Sequence, residues 1–257
     1  MAKKDKKSKN TKASSNNLLA GMSVDPTAEV DTVDRLGGGW TPLPSNIYLL
    51  TINSFHLDTS SKGAKCAVIS ATTEEGKQHN ETIYFTNVKG ENFYVKTDDS
   101  TGKTVKRMNP NFMRLESLCQ LVCKKSMSEM EIKPKYVKVW DDGKQVEQER
   151  PMLVELIGKK VYAGILECLK DKQADNGKGV YEPTGETRRS NEITVFFRKK
   201  DKLTKLELDA EAEEAEFYDK WLESNEGNVR DTSTAGKGGS GSIAKQKNGR
   251  PVNSLYD

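Results

Sequence analysis

Tyr94, Tyr162 and Phe196 each stand two residues from a cation, namely Lys96, Lys160 and Arg198, in segments with strand-like alternation. Successive strand side chains point to opposite faces, so residues two apart share one. In Thr82 to Lys96 (TIYFTNVKGENFYVK), Ile83 and Phe85 share one face and Thr82, Tyr84 and Thr86 the other. After Lys89-Gly90, Tyr94 and Lys96 oppose Phe93 and Val95. In Ile193 to Lys200 (ITVFFRKK), alternation puts Ile193, Val195 and Phe197 on one face and Phe196, Arg198 and Lys200 on the other. A core needs only the Ile/Val/Phe face. A Tyr or Phe beside a Lys or Arg on the second face suits a surface that stacks bases and neutralises phosphates, each stacked base being worth about 1–3 kcal/mol. Strand propensity alone accounts for any single exposed aromatic. Three such segments together favour a nucleic-acid platform. Tyr84, Tyr94, Tyr162 and Phe196 are the expected stacking residues; Lys96, Lys160, Arg188, Arg189, Arg198 and Lys200 are the expected phosphate contacts.

Catalytic chemistry is poorly provided for. The chain has no G-x-x-x-x-G-K-[ST] phosphate loop, no G-x-S-x-G elbow and no H-E-x-x-H. Its 2 histidines, His56 and His79, stand alone. Carboxylates gather at Asp141-Asp142 and Glu147 to Glu149, but in and just after a turn, which reads as a solvated loop rather than a two-metal site. Cys119 and Cys123 are spaced i, i+4 on an expected helix, yet there is no C-x-x-C. All 4 cysteines read as reduced, buried small hydrophobes. The expectation is a non-enzyme with no cofactor and no metal.

The 257 residues suffice for one ordinary domain with tails. A net charge of +3 conceals segregation. Residues 1–12 hold six lysines and one aspartate, residues 205–226 nine acidic groups and two lysines, and Lys159 to Lys205 twelve basic and seven acidic groups. A basic body with separated charged segments favours a polyanionic partner. No apolar run is long enough to span a membrane, and the lysine-rich start lacks the apolar stretch of a secretory signal. A cytoplasmic location is expected.

Residues 1–38 read as a disordered basic and polar arm, residues 39–206 as the binding domain, residues 207–226 as an acidic helix and residues 227–257 as a flexible tail. Strands are expected over Ile47 to Leu57, Ala64 to Thr73, Thr82 to Asn87, Tyr136 to Trp140, Lys159 to Leu169 and Ile193 to Lys200. Asn109-Pro110 opens a helix in which Phe112, Leu115, Leu118, Cys119 and Val122 recur at helical spacing. Asp171 to Arg189 reads as a polar loop, and GKGGSGS at Gly236 to Ser242 as a linker. Hairpin-linked strands, a helix and further strands follow the order of a mainly β, Greek-key barrel of the OB-fold type with an inserted helix, an architecture that commonly binds oligonucleotides.

From IYLLTI, through TIYFTN, GENFYV and the Asn-Pro-Asn-Phe helix opening, to NEITVFFRKK and the acidic segment after it, the chain resembles the OB-fold single-stranded DNA-binding proteins of bacteriophages. The resemblance covers roughly residues 39–226. It implies a protein that coats exposed strands during replication, recombination and repair and recruits replication or recombination proteins through its C-terminal region. Members of that group often end in an acidic tail with a terminal aromatic. Here residues 227–257 carry five basic and two acidic groups, and only Leu255, Tyr256 and Asp257 echo that ending. Arg250, Leu255, Tyr256 and Asp257 are the expected partner contacts. Three other readings remain open: a single-stranded RNA regulator, a metal-dependent nuclease using Asp141, Asp142 and Glu147, and a replisome adaptor whose barrel is only a scaffold.

Overall fold

The computed structural model describes residues 41–98, 102–141, 143–175, 177 and 181–234. The expected arm, the Gly236 to Ser242 linker and the expected partner residues Arg250, Leu255, Tyr256 and Asp257 lie outside them. The described chain is mainly β and mostly antiparallel. Five strands form the main path. β1 (Asn46–Thr59) pairs with β2 (Lys65–Thr73), which pairs with β3 (Gln78–Tyr84). On its other side, Asn46 to Thr51 of β1 pair with β8 (Lys160–Asp175), and β8 pairs with β9 (Tyr181–Phe197).

The two ends of this path meet. The backbone N–H of Ile193 on β9 donates to Oε2 of Glu81 on β3 at 2.8 Å, and the same oxygen lies 3.1 Å from Nε2 of the buried His79. The sheet therefore curls until its outer strands approach, and one carboxylate bridges the seam. Inside sit Leu50, Ile52, Phe55, Ile69, Val161, Ile165 and Ile193. Burying such side chains is worth about 1.5–3 kcal/mol each relative to exposure.

α1 (Pro110–Cys123) covers one end of this core with Leu115, Leu118 and Cys119. Asn109 caps it by accepting from the Asn111 N–H at 2.9 Å, Pro110 occupies the first turn, and Lys124 ends it in the left-handed conformation at φ 58°. The buried Cys119 thiol is pushed up to about 12 by desolvation, consistent with a packing role.

Three antiparallel hairpins depart from the expected strand list. β4 (Phe93–Thr97) and β5 (Thr104–Met108) form a separate two-stranded sheet between β3 and α1, and β5 had no counterpart in the sequence reading. β6 (Ile132–Asp141) pairs with β7 (Lys144–Leu153), also unforeseen, which touches β1 where Met152 opposes His56. The expected Asp171 to Arg189 loop is instead a ribbon: β8 and β9 keep pairing from Lys170 opposite Arg188 to Asp175 opposite Tyr181. Polar residues such as Thr184, Thr187 and Gln173 hide the apolar alternation of a core strand, because neither face of this ribbon has a core to cover.

The expected single helix over 207–226 is two. α2 (Lys205–Asp209) is opened by a Thr204/Glu207 capping box, and α3 (Glu216–Asn225) follows a break at which Glu211 takes φ 54°. α3 lays Phe217, Tyr218, Trp221 and Leu222 over the outer face of β8 and β9, building a second core with Tyr162, Leu166, Cys168, Val195 and Phe197. Residues 227–234, expected as tail, include β10 (Val229–Asp231), which pairs in parallel with Glu167 to Leu169 of β8. Among the described residues no helix is long and apolar enough to cross a membrane.

Candidate nucleic-acid interface

Tyr84 closes β3 on the face opposite Ile83, and its ring is 47 % exposed. It lines an open cleft of about 430 Å³ beside the β3–β9 seam. Asn80 and Thr82 continue its strand face, as period-two alternation requires. α1 contributes Asn111 and Arg114, and β8 and β9 contribute Lys170, Arg188, Ser190 and Glu192. Asn111 fixes the cleft wall by donating from Nδ2 to the Tyr84 carbonyl at 2.8 Å. An exposed phenol ring with two guanidiniums and an ammonium around it can stack a base and hold its phosphates.

The β4–β5 hairpin repeats the combination. Its register sets Tyr94 directly opposite Arg107, with Lys96 opposite Val105 on the same face. Tyr94 is 43 % exposed. On the other face Lys106 Nζ sits 3.3 Å from the centroid of Phe93, so that ring is already covered by a cation. The hairpin leads into α1 through the Asn109 N–H, which donates to the Asn92 carbonyl at 2.8 Å.

Other expected contacts are placed differently. Phe196 is 3 % exposed and packs in the main core, so it has no face to offer a base. The physical reason is a bulge: Ile165 opposes Ile193 whereas Gly164 opposes Val195, leaving Thr194 unpaired. The extra residue reverses the alternation, sending Ile193 and Phe196 inward and Val195 and Phe197 to the α3 side. Tyr162 faces that second core too, with Tyr218 edge-on at 6.0 Å, so α3 covers it. Arg188 and Arg189 point to opposite faces of β9: Arg188 lines the cleft, whereas Arg189 Nη1 is 2.9 Å from Glu167 Oε1. Arg198 is tied to Asp201, donating from Nε at 2.9 Å, and this pairing holds the Asp201 carboxyl below its ordinary range. Lys160 and Lys200 are exposed but do not line the cleft, and Lys96 stands on the hairpin.

Arg114, Lys170 and Asn111 were not singled out by sequence reasoning. Asn111 and Arg114 are spaced i, i+3 on the polar side of an amphipathic helix, a signal that points them to one place. Lys170 faces Arg188 only through the ribbon pairing. Among the described residues no three His, Cys, Asp or Glu side chains group as metal ligands, and Asp142 lies outside those residues. No protein-family pattern matches the chain, and no curated protein matches it.

Proposed function

We propose that this protein binds single-stranded DNA through base stacking and phosphate neutralisation, with no catalytic step, and serves DNA replication, recombination and repair. The observation that carries the reading is the exposed Tyr84 ring set in a cleft with Arg114, Lys170 and Arg188. The Tyr94–Arg107–Lys96 face of the β4–β5 hairpin supports it as a second stacking position. An open cleft suits an unpaired strand whose bases can be splayed onto aromatic rings, which a duplex does not offer. The barrel is read as OB type: its path runs β3-β2-β1-β8-β9, with α1 between the third and fourth barrel strands. In that architecture the face of the second and third strands and the hairpin between the last two form the binding groove, which is where Tyr84 and Arg188 stand. The C-terminal segment, with Arg250, Leu255, Tyr256 and Asp257, is proposed to recruit replication proteins.

The test is a fluorescence titration with matched single-stranded DNA, duplex DNA and single-stranded RNA. Single-stranded DNA should bind tightest, with duplex at least about fivefold weaker, the loss of a single stacked base alone being worth that much. Tighter binding of RNA would reassign the protein to RNA, and preference for duplex would overturn the stacking cleft.

A further inference from the structure

Two carboxylates, Glu81 and Glu192, line the same cleft as Arg114, Lys170 and Arg188. A carboxylate in a groove that only tracks phosphates is a liability, because it repels them. Glu81 has a structural task at the seam. Glu192 has less: its Oε2 receives Cys168 Sγ–H at 3.6 Å and lies 3.6 Å from Lys170 Nζ. Its other oxygen accepts no hydrogen bond among the described residues. Two residues away on the same strand face, the Ser190 hydroxyl oxygen is buried and has no hydrogen-bond partner. The cleft thus combines a stacking ring, an acceptor-only carboxylate oxygen, an unused hydroxyl and the Asn80 amide.

Resting on the single-strand reading above, we infer that the cleft takes one splayed base with its amino-bearing edge against Glu192, so the protein prefers cytosine to thymine at this position. Cytosine presents an N4 amino donor where thymine presents the O4 acceptor, and a carboxylate accepts from the first and repels the second. Tyr84 supplies stacking common to both bases, while Arg114 and Arg188 take the flanking phosphates. Glu192 is the residue that tells the bases apart.

The experiment titrates the full chain with dC, dT and dU homo-oligomers of about 16 nucleotides, the upper site size for one such barrel. It is run at mildly alkaline pH, where cytosine is neutral, and repeated with Glu192→Gln. The wild type should bind the dC oligomer at least about fivefold tighter than dT, the low end for a base-edge contact, with dU behaving as dT. A glutamine amide donates as well as accepts, so in the variant the dC/dT ratio should fall towards one even if both affinities rise through lost repulsion. A dU oligomer that binds like dC would assign the preference to the thymine methyl group and overturn the inference. Equal wild-type affinities, or a ratio that survives Glu192→Gln in a variant melting like wild type, would overturn it as well. If no oligomer binds, the single-strand reading fails instead.

Discussion

Tyr84 and Phe196 respond to truncation through different physics. Tyr84→Ala removes an exposed ring and should weaken single-stranded DNA binding by about 1–3 kcal/mol while leaving the melting temperature nearly unchanged. Phe196→Ala empties a core position and should destabilise the fold by about 3–5 kcal/mol. Thermal melts and titrations of the two variants decide it; Tyr84→Ala melting as low as Phe196→Ala would place the tyrosine in the core. His56 offers a pH signature. It is buried between Val68 and Met152 with Nδ1 unpartnered, and desolvation, only partly offset by Asp58, holds it below its ordinary 6.5. In the unfolded chain it binds a proton below that value, whereas in the fold it resists doing so. Stability should therefore fall as pH drops below 6.5, before Glu155 and Asp201 lose their contributions near and below their ordinary 4.5 and 3.8. His56→Gln should flatten the melting temperature between those windows; an unchanged slope would remove His56 as its source.

α3 is held to the sheet by a close approach. An added Cβ at Gly164 would lie 2.7 Å from Trp221 Cε2 and 2.8 Å from Val195 Cγ1, and Trp221 Nε1 donates to Thr194 Oγ1 at 3.0 Å. Gly164→Ala should cost about 1–3 kcal/mol by overpacking, read from denaturant unfolding; a neutral result would mean that α3 is not docked this way. The bulged Thr194 thus serves as the acceptor for the helix that covers Tyr162. This explains which parts of the fold were legible. β2 and α1 carry apolar periodicity set by a single core, so their residues announce them. The 193–197 strand serves two cores at once, and its bulge leaves no mark in the residue types. The β8–β9 ribbon serves none, and so reads as loop. Tyr84 and Tyr94 were legible because exposure on a strand face follows from alternation, and Arg188 because a basic residue in an expected loop reads as exposed, although it stands on a strand. Arg114 and Lys170 join them only through tertiary packing. Losses at Arg189 and Arg198 follow the same logic: each already has a carboxylate partner, so truncating either should change DNA affinity less than Arg188→Ala.

Taken together, the curled sheet and its hairpin offer a partly neutralised surface, with cations at Arg114, Lys170 and Arg188 in the cleft and Lys96 and Arg107 on the hairpin. A single strand releases about 0.7 counterion per phosphate neutralised, so four to six engaged cations imply a slope of log K against log salt of roughly −3 to −4. The measurement is the single-stranded DNA affinity of the wild type and Arg188→Ala across a salt series. The account predicts that wild-type slope, reduced in magnitude by about 0.7 in Arg188→Ala, with the variant melting like the wild type. A slope near zero, or an Arg188→Ala variant indistinguishable from wild type at every salt concentration, would contradict it.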